Sequence, residues 1–214
     1  MQKATPKPYL ELSGSTILEY TIRRFLPLGG LSQVIVATSE EYLNKAKQIL
    51  TDVLPQSVTG CCLAGGAERQ DSIRNALAEV GDIDLVMVHD AVRPFIKLPH
   101  IQKSCEIALD VGGAVVGVPA KDTIKRIDEE QIIQETPSRK FLWQTQTPQV
   151  FRKSIILEAY KRAEEDNFTG TDDSSLVERL GYEVKMVEGD RSNFKITFPL
   201  DLELAQLLIS KESN

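Results

Sequence analysis

Histidine is nearly absent: His89 and His100 are the only two in 214 residues. A Ser/His/Asp or Cys/His mechanism therefore has almost no candidates, and no such set assembles from the sequence. Cysteine is as scarce. Cys61, Cys62 and Cys105 form neither a disulfide framework nor a metal-ligand spacing, and the adjacent pair lies inside an apolar run, where free thiols are buried. Basic residues are not in excess. With 31 acidic against 25 basic residues the net charge is −6, which favours solubility and argues against general nucleic-acid binding. No apolar run approaches the ~18 residues of a membrane span, and Met1-Gln2-Lys3-Ala4-Thr5-Pro6 has no apolar signal region. These absences predict a protein of a reducing compartment, the cytoplasm or, for a plant protein, the plastid stroma, with neither membrane nor nucleic acid as partner.

What is present is an alternation. Val34–Ala37, Val58–Ala64, Leu85–Val88 and Gly113–Pro119 are short apolar runs. Between them, helical patterns are predicted over Ile17–Leu28, Glu40–Leu50, Asp71–Val80 and Leu98–Val111, and later over Ser154–Glu165, Ser174–Leu180 and Leu200–Ile209. Val184–Val187 adds a strand. This is the mark of βαβ units and a mostly parallel sheet flanked by helices, and the length suits one domain.

Residues 120–147 interrupt the pattern. Thr123–Ile127 and Ile132–Thr136 read as a hairpin with the charged tip Asp128-Glu129-Glu130-Gln131. Two strands with so few apolar residues cannot bury a core of their own, and packing on a partner chain would solve that problem. Trp143-Gln144-Thr145-Gln146-Thr147-Pro148-Gln149 is polar around the single Trp, an odd composition for a core segment.

The chemistry centres on Leu85–Pro94. Four apolar residues break into His89-Asp90, followed by Arg93 and Pro94. Asp90 would sit at the carboxyl end of a strand, where open α/β sheets bind ligands. A carboxylate there suits a divalent cation, and Arg93 suits phosphate oxygens; equally, Asp90 could cap a turn beside a solvent-facing arginine. Gly65-Gly66-Ala67-Glu68-Arg69, with Ser72 beyond it, stands at a strand-to-helix junction, either an anion or base site or an ordinary tight turn. Thr171-Asp172-Asp173-Ser174 reads as a helix N-cap. Lys195 lies between apolar residues on a predicted short strand, Asn193–Thr197, where a lysine would ordinarily snorkel to water. Together Asp90, Arg93, Lys121, Arg139 and Lys195 could converge above one sheet edge, which suits phosphoryl or nucleotidyl transfer.

The ordered set resembles the 2-C-methyl-D-erythritol 4-phosphate cytidylyltransferase family: Val88-His89-Asp90-Ala91-Val92-Arg93-Pro94, Gly65-Gly66-Ala67-Glu68-Arg69, Asp122-Thr123-Ile124-Lys125, Thr147-Pro148-Gln149, Thr171-Asp172-Asp173 and Glu188-Gly189-Asp190 with Asn193-Phe194-Lys195-Ile196-Thr197. The resemblance spans about Lys7 to Leu208. It implies a Rossmann-like nucleotidyltransferase fold with a protruding β-arm, a homodimer formed through residues 120–147, and CTP, a polyol phosphate and Mg²⁺ as ligands. By resemblance, Lys7 stabilises the pentacovalent transition state. Asp90 stands near the metal and the substrate hydroxyls, and Arg93 is a substrate-site arginine. Gly65, Gly66, Ser72 and Ala91 meet CTP. Arg139, reaching across the dimer, and Lys195 hold the acceptor phosphate, while Thr123, Thr147 and Thr171 offer it hydroxyl donors. Rival readings are ribitol-5-phosphate as acceptor and a non-catalytic dimeric domain.

Three departures stand out. Pro8 replaces the family's glutamine, Ala67 replaces a common aspartate, and the family's opening strand and Gly-rich phosphate loop have no counterpart. Met1 lies six residues before Lys7, as the loop's last methionine does before the family lysine. The resemblance therefore predicts an N-terminally truncated domain over 1–214, lacking a strand beside residues 85–94, with CTP affinity and stability reduced.

Overall fold

A computed structural model describes residues 5–212; Met1 and the expectation attached to it lie outside them. A 3-10 turn at Lys7–Tyr9 leads into a small antiparallel pair, β1 (Glu11–Leu12) and β2 (Ser15–Thr16). Helix α1 (Ile17–Arg23) starts on Thr16, whose hydroxyl accepts from Glu19 N (3.3 Å) while Glu19 Oε2 accepts from Thr16 N (2.6 Å). The regular helix stops at Arg23, short of the predicted Leu28, and turns carry the chain on. Pro27 supplies no amide hydrogen and disfavours helical backbone at Leu26, so the last turn unwinds.

The elements then follow the predicted order: β3 (Gln33–Thr38), α2 (Leu43–Val53), β4 (Thr59–Ala64), α3 (Arg69–Ala78), β5 (Leu85–Val88), α4 (Leu98–Val111) and β6 (Gly113–Pro119). Glu40–Tyr42, predicted as the start of α2, is a separate 3-10 turn. The hairpin is β7 (Arg126–Ile127) with β8 (Ile133–Glu135), and among the described residues it pairs with no other strand. After it come β9 (Trp143–Arg152), α5 (Lys153–Glu165), α6 (Asp173–Arg179), β10 (Val184–Glu188) and α7 (Pro199–Glu212).

The largest departure from the sequence reading is β9. The polar run from Trp143 belongs to a ten-residue strand that lies antiparallel between β5 and β6, in the order β10-β6-β9-β5. The sheet is therefore mixed: β6–β10 and β3–β4 are parallel, and β9 runs against its neighbours. Because β9 is antiparallel, its first half lies at the carboxyl ends of β5 and β6 and its second half in the core. That explains the composition: Gln146, Thr147 and Gln149 face the loops, while Val150 and Phe151 are fully buried.

Alternate residues serve opposite faces, as the pleat requires. Val86, Val115 and Phe151 pack with Leu77, Ile155, Ile156 and Val177 of the helices on one face. Ala114, Val116 and Val150 pack with Ile101 and Ala108 of α4 on the other. Strands β3 and β4 form a separate pair covered by α1 and α2. Helix α3 joins this pair to the main sheet: Leu77 packs with Val86, and the Gln33 side chain donates to Glu79 O and accepts from Gly81 N. Among the described residues neither β3 nor β5 has a strand on its other edge.

Candidate active site

Three loops meet at the carboxyl ends of β5 and β6, and three polar side chains of β9, on either side of Pro148, hold them. Gln146 Nε2 donates to Asp190 O (3.0 Å), and its Oε1 accepts from Asn193 Nδ2 (3.1 Å). Thr147 Oγ1 accepts from Asp90 N (3.0 Å). Gln149 Nε2 donates to Asp172 Oδ2 (2.8 Å), and Gln149 Oε1 accepts from Ser174 N (2.9 Å). All three side chains are buried, so these hydrogen bonds form where water cannot compete. The segment that looked wrong for a core is the spine of the site.

Asp90 is the centre. Its Oδ2 accepts from Arg93 Nε (3.1 Å) and lies 3.3 Å from Lys195 Nζ, and its Oδ1 lies 3.7 Å from Arg69 Nε. Burial pushes the Asp90 carboxyl up, but Lys195, Arg93 and Arg69 together outweigh it and hold the group below the ordinary carboxylate range. Three cations face this carboxylate, and one of them, Arg69, is also paired with Asp173, so a smaller excess of positive charge remains, suited to an anion. Arg93 Nη1 also donates to Asn193 O (3.0 Å), which fastens the Lys195 loop to the end of β5.

That loop is irregular, and the predicted strand over Asn193–Thr197 does not form. Asn193, fully buried, takes its place as the anchor: Nδ2 donates to Gln146 Oε1 and to Thr147 O (3.0 Å). The adjoining Ile196 N donates to Val92 O (2.9 Å). With its backbone held on both sides, Lys195 reaches Asp90 while keeping about half its side chain exposed.

His89 is half-buried, and desolvation pushes its imidazole down to about 4, so it is neutral at pH 7. One ring nitrogen faces Arg93 O (Nε2, 3.0 Å) and the other faces Thr147 Oγ1 (Nδ1, 3.0 Å). A carbonyl can only accept, so Nε2 carries the proton and Nδ1 accepts from Thr147. The single hydroxyl proton of Thr147 is thereby taken. Thr147, expected as a hydroxyl donor to substrate, is a buried support that holds Asp90 from behind.

The same burial has a measurable consequence. The folded His89 refuses a proton that the unfolded chain accepts below about 6.5, so stability is lost as pH falls from about 6.5 to about 4. A shift of that size corresponds to about 3 kcal/mol. Asp90 acts with the same sign lower down, its contribution being lost as pH falls through its depressed folded value. Urea unfolding at pH 7 and pH 5 should show a smaller acid loss in His89→Asn than in the unaltered chain. Equal losses would show that another group sets the slope.

The Gly65-Gly66 loop closes on the first turn of α3. Gly66 N donates to Ser72 Oγ (3.0 Å), and Ser72 Oγ donates to Glu68 O (3.1 Å). A Cβ on Gly66 would stand 2.2 Å from Asp71 Cβ, so only glycine fits. Ser72 has a lone pair left and no proton to give, which makes it an acceptor towards any ligand. Arg69, not singled out by the sequence, donates from Nη2 to the fully buried Asp173 (2.7 Å). Exposed Thr171 lines a cavity of about 110 Å³ with Glu68, Arg69, Gln70, Tyr160 and Asp172.

The remaining expected residues lie around this centre. Ala91 packs against the core cluster that includes Tyr9 and Leu18, and its carbonyl accepts from Thr21 Oγ1 (2.9 Å). Lys7 is exposed near Asp201, whose carboxyl it helps to lower after the Phe198 and Thr197 amides. Thr123 is exposed in the approach to β7. Among the described residues no hydrogen bond or ion pair joins Arg139 or Lys121 to Asp90; Arg139 Nη1 donates instead to Lys121 O (2.9 Å) at the root of the hairpin.

The profile of the 2-C-methyl-D-erythritol 4-phosphate cytidylyltransferase family matches residues 1–211. The chain belongs to that family. A cytidylyltransferase of this name from Caldanaerobacter subterraneus subsp. tengcongensis is 41% identical over 99% of this chain and 93% of its own. One from Solibacter usitatus is 40% identical over 97% and 86%. Among solved structures, 4-diphosphocytidyl-2C-methyl-D-erythritol synthase from Anaerococcus prevotii superposes with a TM-score of 0.88, at 28% identity over 96% of this chain and 90% of its own. The Thermus thermophilus cytidylyltransferase gives 0.78 at 33% identity over 96% and 94%. This cytidylyltransferase is thus a nucleotidyltransferase with the Rossmann-like fold expected from the sequence, and neither a ribitol-phosphate acceptor nor a non-catalytic role is favoured.

Among the described residues no group of three or more His, Cys, Asp or Glu side chains could cage a metal ion. A lone Asp90 fits Mg²⁺ once substrate phosphates are bound, because Mg²⁺ commonly uses one carboxylate with water and phosphates, and the phosphates would offset Arg69, Arg93 and Lys195, which already face the carboxylate. No helix of the described residues is long and apolar enough to cross a membrane.

Proposed function

We propose that this cytidylyltransferase moves the CMP group of CTP onto 2-C-methyl-D-erythritol 4-phosphate, releasing pyrophosphate, as a step of non-mevalonate isoprenoid biosynthesis. A phosphate oxygen of the acceptor attacks the α-phosphorus of CTP in line, and the bond from that phosphorus to the pyrophosphate oxygen breaks. No enzyme nucleophile is required; the protein supplies position and positive charge. The observation that carries this reading is the excess of cationic charge around Asp90, beside a glycine loop at a helix start.

In this scheme the Gly65-Gly66 backbone and Ser72 take the cytosine ring, with the Ser72 lone pair matched to its exocyclic amino group. Ala91 lies alongside the nucleotide, and Thr171 and Thr123 donate to the acceptor. Lys195 and Arg93 hold phosphate oxygens, and Lys7 faces the charge that develops in the transition state. Mg²⁺ would be held by Asp90 and would offset the charge of the triphosphate. Exposed Ile127, Ile132, Ile133 (52–56% accessible) and Phe141 (77%) along the hairpin support a homodimer in which this arm packs on its partner. Three free thiols support a reducing location such as the cytoplasm.

Pyrophosphate release should be fast with CTP, Mg²⁺ and methylerythritol phosphate, and slow when ribitol 5-phosphate replaces the acceptor. Equal rates with both alcohols, or release only with ribitol 5-phosphate, would overturn the acceptor assignment.

A further inference from the structure

Arg69 is assigned no ligand in the scheme above, yet it is the one cation on the Oδ1 side of Asp90 among the described contacts, at 3.7 Å; Arg93 and Lys195 both lie on Oδ2. Its other branch is held firmly. Nη2 donates to Asp173 Oδ2 (2.7 Å), and Asp173 Oδ1 accepts from the Tyr160 hydroxyl (2.5 Å). Asp173 and Tyr160 are both buried. A buried carboxylate with one phenol and one guanidinium has no freedom to drift, so it fixes Arg69 in turn. Gln70, the next residue, bridges the same neighbour: its Nε2 donates to Phe168 O (3.0 Å), and its Oε1 accepts from Gly170 N (2.9 Å).

The chain of contacts runs Tyr160, Asp173, Arg69, Asp90, and crosses from α5 through α6 and α3 to the end of β5. We propose that Arg69 is a positioning residue: clamped by the Asp173–Tyr160 pair, its guanidinium fixes the Oδ1 side of the Asp90 carboxylate and so sets where that group stands relative to Arg93 and Lys195, which hold the phosphates. This rests on the functional reading above. The planar guanidinium is essential to it. Arginine presents donors on three nitrogens held in one rigid plane, whereas the three donors of lysine share a single nitrogen at the end of a flexible stem and fix no plane.

Lysine and glutamine at position 69 therefore separate positioning from simple support. Arg69→Lys keeps a cation for the buried Asp173, so its thermal midpoint should stay near that of the unaltered protein. Arg69→Gln leaves Asp173 without a cation and should unfold at a clearly lower temperature. Turnover should follow a different order: both variants should lose kcat, by up to about 10²-fold as expected for a misplaced catalytic group, with KM for CTP changing little. Crystal structures of the Arg69→Lys protein should show the Asp90 carboxylate turned or split between rotamers while the 168–172 loop stays in place. Restored kcat in Arg69→Lys, kcat losses that track the thermal midpoints, or an unmoved Asp90 carboxylate would each overturn the proposal. Absence of CMP transfer by the unaltered protein would instead condemn the functional reading, and the Asp90 rotamer in Arg69→Lys would still decide the role of Arg69.

Discussion

Asp90→Asn should lower kcat/KM for CMP transfer by about 10²–10³-fold, the usual loss when one preorganised electrostatic group is removed from an active site. The substitution is nearly isosteric and keeps the backbone amide that donates to Thr147, so the end of β5 stays where it is. What goes is the charge. Asp90 is ionised, only 12% of its side chain is exposed, and Arg93, Lys195 and Arg69 converge on it. An amide cannot neutralise Arg93 and Lys195, Asp173 still balances only Arg69, and the amide oxygen is a poor ligand for Mg²⁺ compared with a carboxylate. The three cations should then repel one another and capture a phosphate of either substrate without placing it.

The variant should consequently bind inorganic pyrophosphate at least as well as the unaltered protein while failing to turn over. Calorimetry with pyrophosphate beside initial-rate measurements checks both halves. A kcat/KM within tenfold of the original would remove Asp90 from the catalytic set, and lost pyrophosphate binding would show that the carboxylate orders the cations more than it restrains them.

Much of this site was legible from the sequence because strand ends in α/β sheets carry ligand residues, and β5 followed by Asp90 and Arg93 obeys that pattern. Helix α4 and strands β5 and β6 form over the predicted residues, since their signals are local: apolar period, Pro99 in the first turn of α4 and Gly112 at its end, where φ is 112°. The misread parts all depend on partners distant in sequence. Strand β9 looks unfit for a core because half its residues are polar, and only the antiparallel placement shows that this half faces the loops. Asn193 reads as one polar residue in a short strand, although its burial and its bonds to Gln146 and Thr147 make it the anchor of the Lys195 loop. Thr147 illustrates the same limit from the other side. Its motif fits a substrate donor, and it takes the geometry of His89 to show that the hydroxyl proton is already committed. Arg69 was visible inside Gly65-Gly66-Ala67-Glu68-Arg69, but nothing local connects it to an aspartate 104 positions later.

Arg139 tests whether the active site is shared between chains. It sits at the root of the hairpin, bonded to Lys121 O, and among the described residues no hydrogen bond or ion pair joins it to Asp90 or Lys195 of its own chain. If Arg139 serves the partner's site across a two-fold axis, each complete site takes Arg139 from one chain and Lys195 from the other. Arg139→Ala and Lys195→Ala homodimers should each be nearly inactive, because every site in them lacks one phosphate-holding cation. In a heterodimer of the two, one site collects both substitutions and the other collects neither. Equal amounts mixed and allowed to reassort give half heterodimers, each with one intact site, so activity should recover to about one quarter of the unaltered protein. A site built within one chain predicts the opposite: every site in the heterodimer keeps one defect, and mixing restores nothing. Pyrophosphate release measured before and after reassortment distinguishes the two, and a persistently inactive mixture with heterodimers demonstrated by mass would return Arg139 to a role within its own chain.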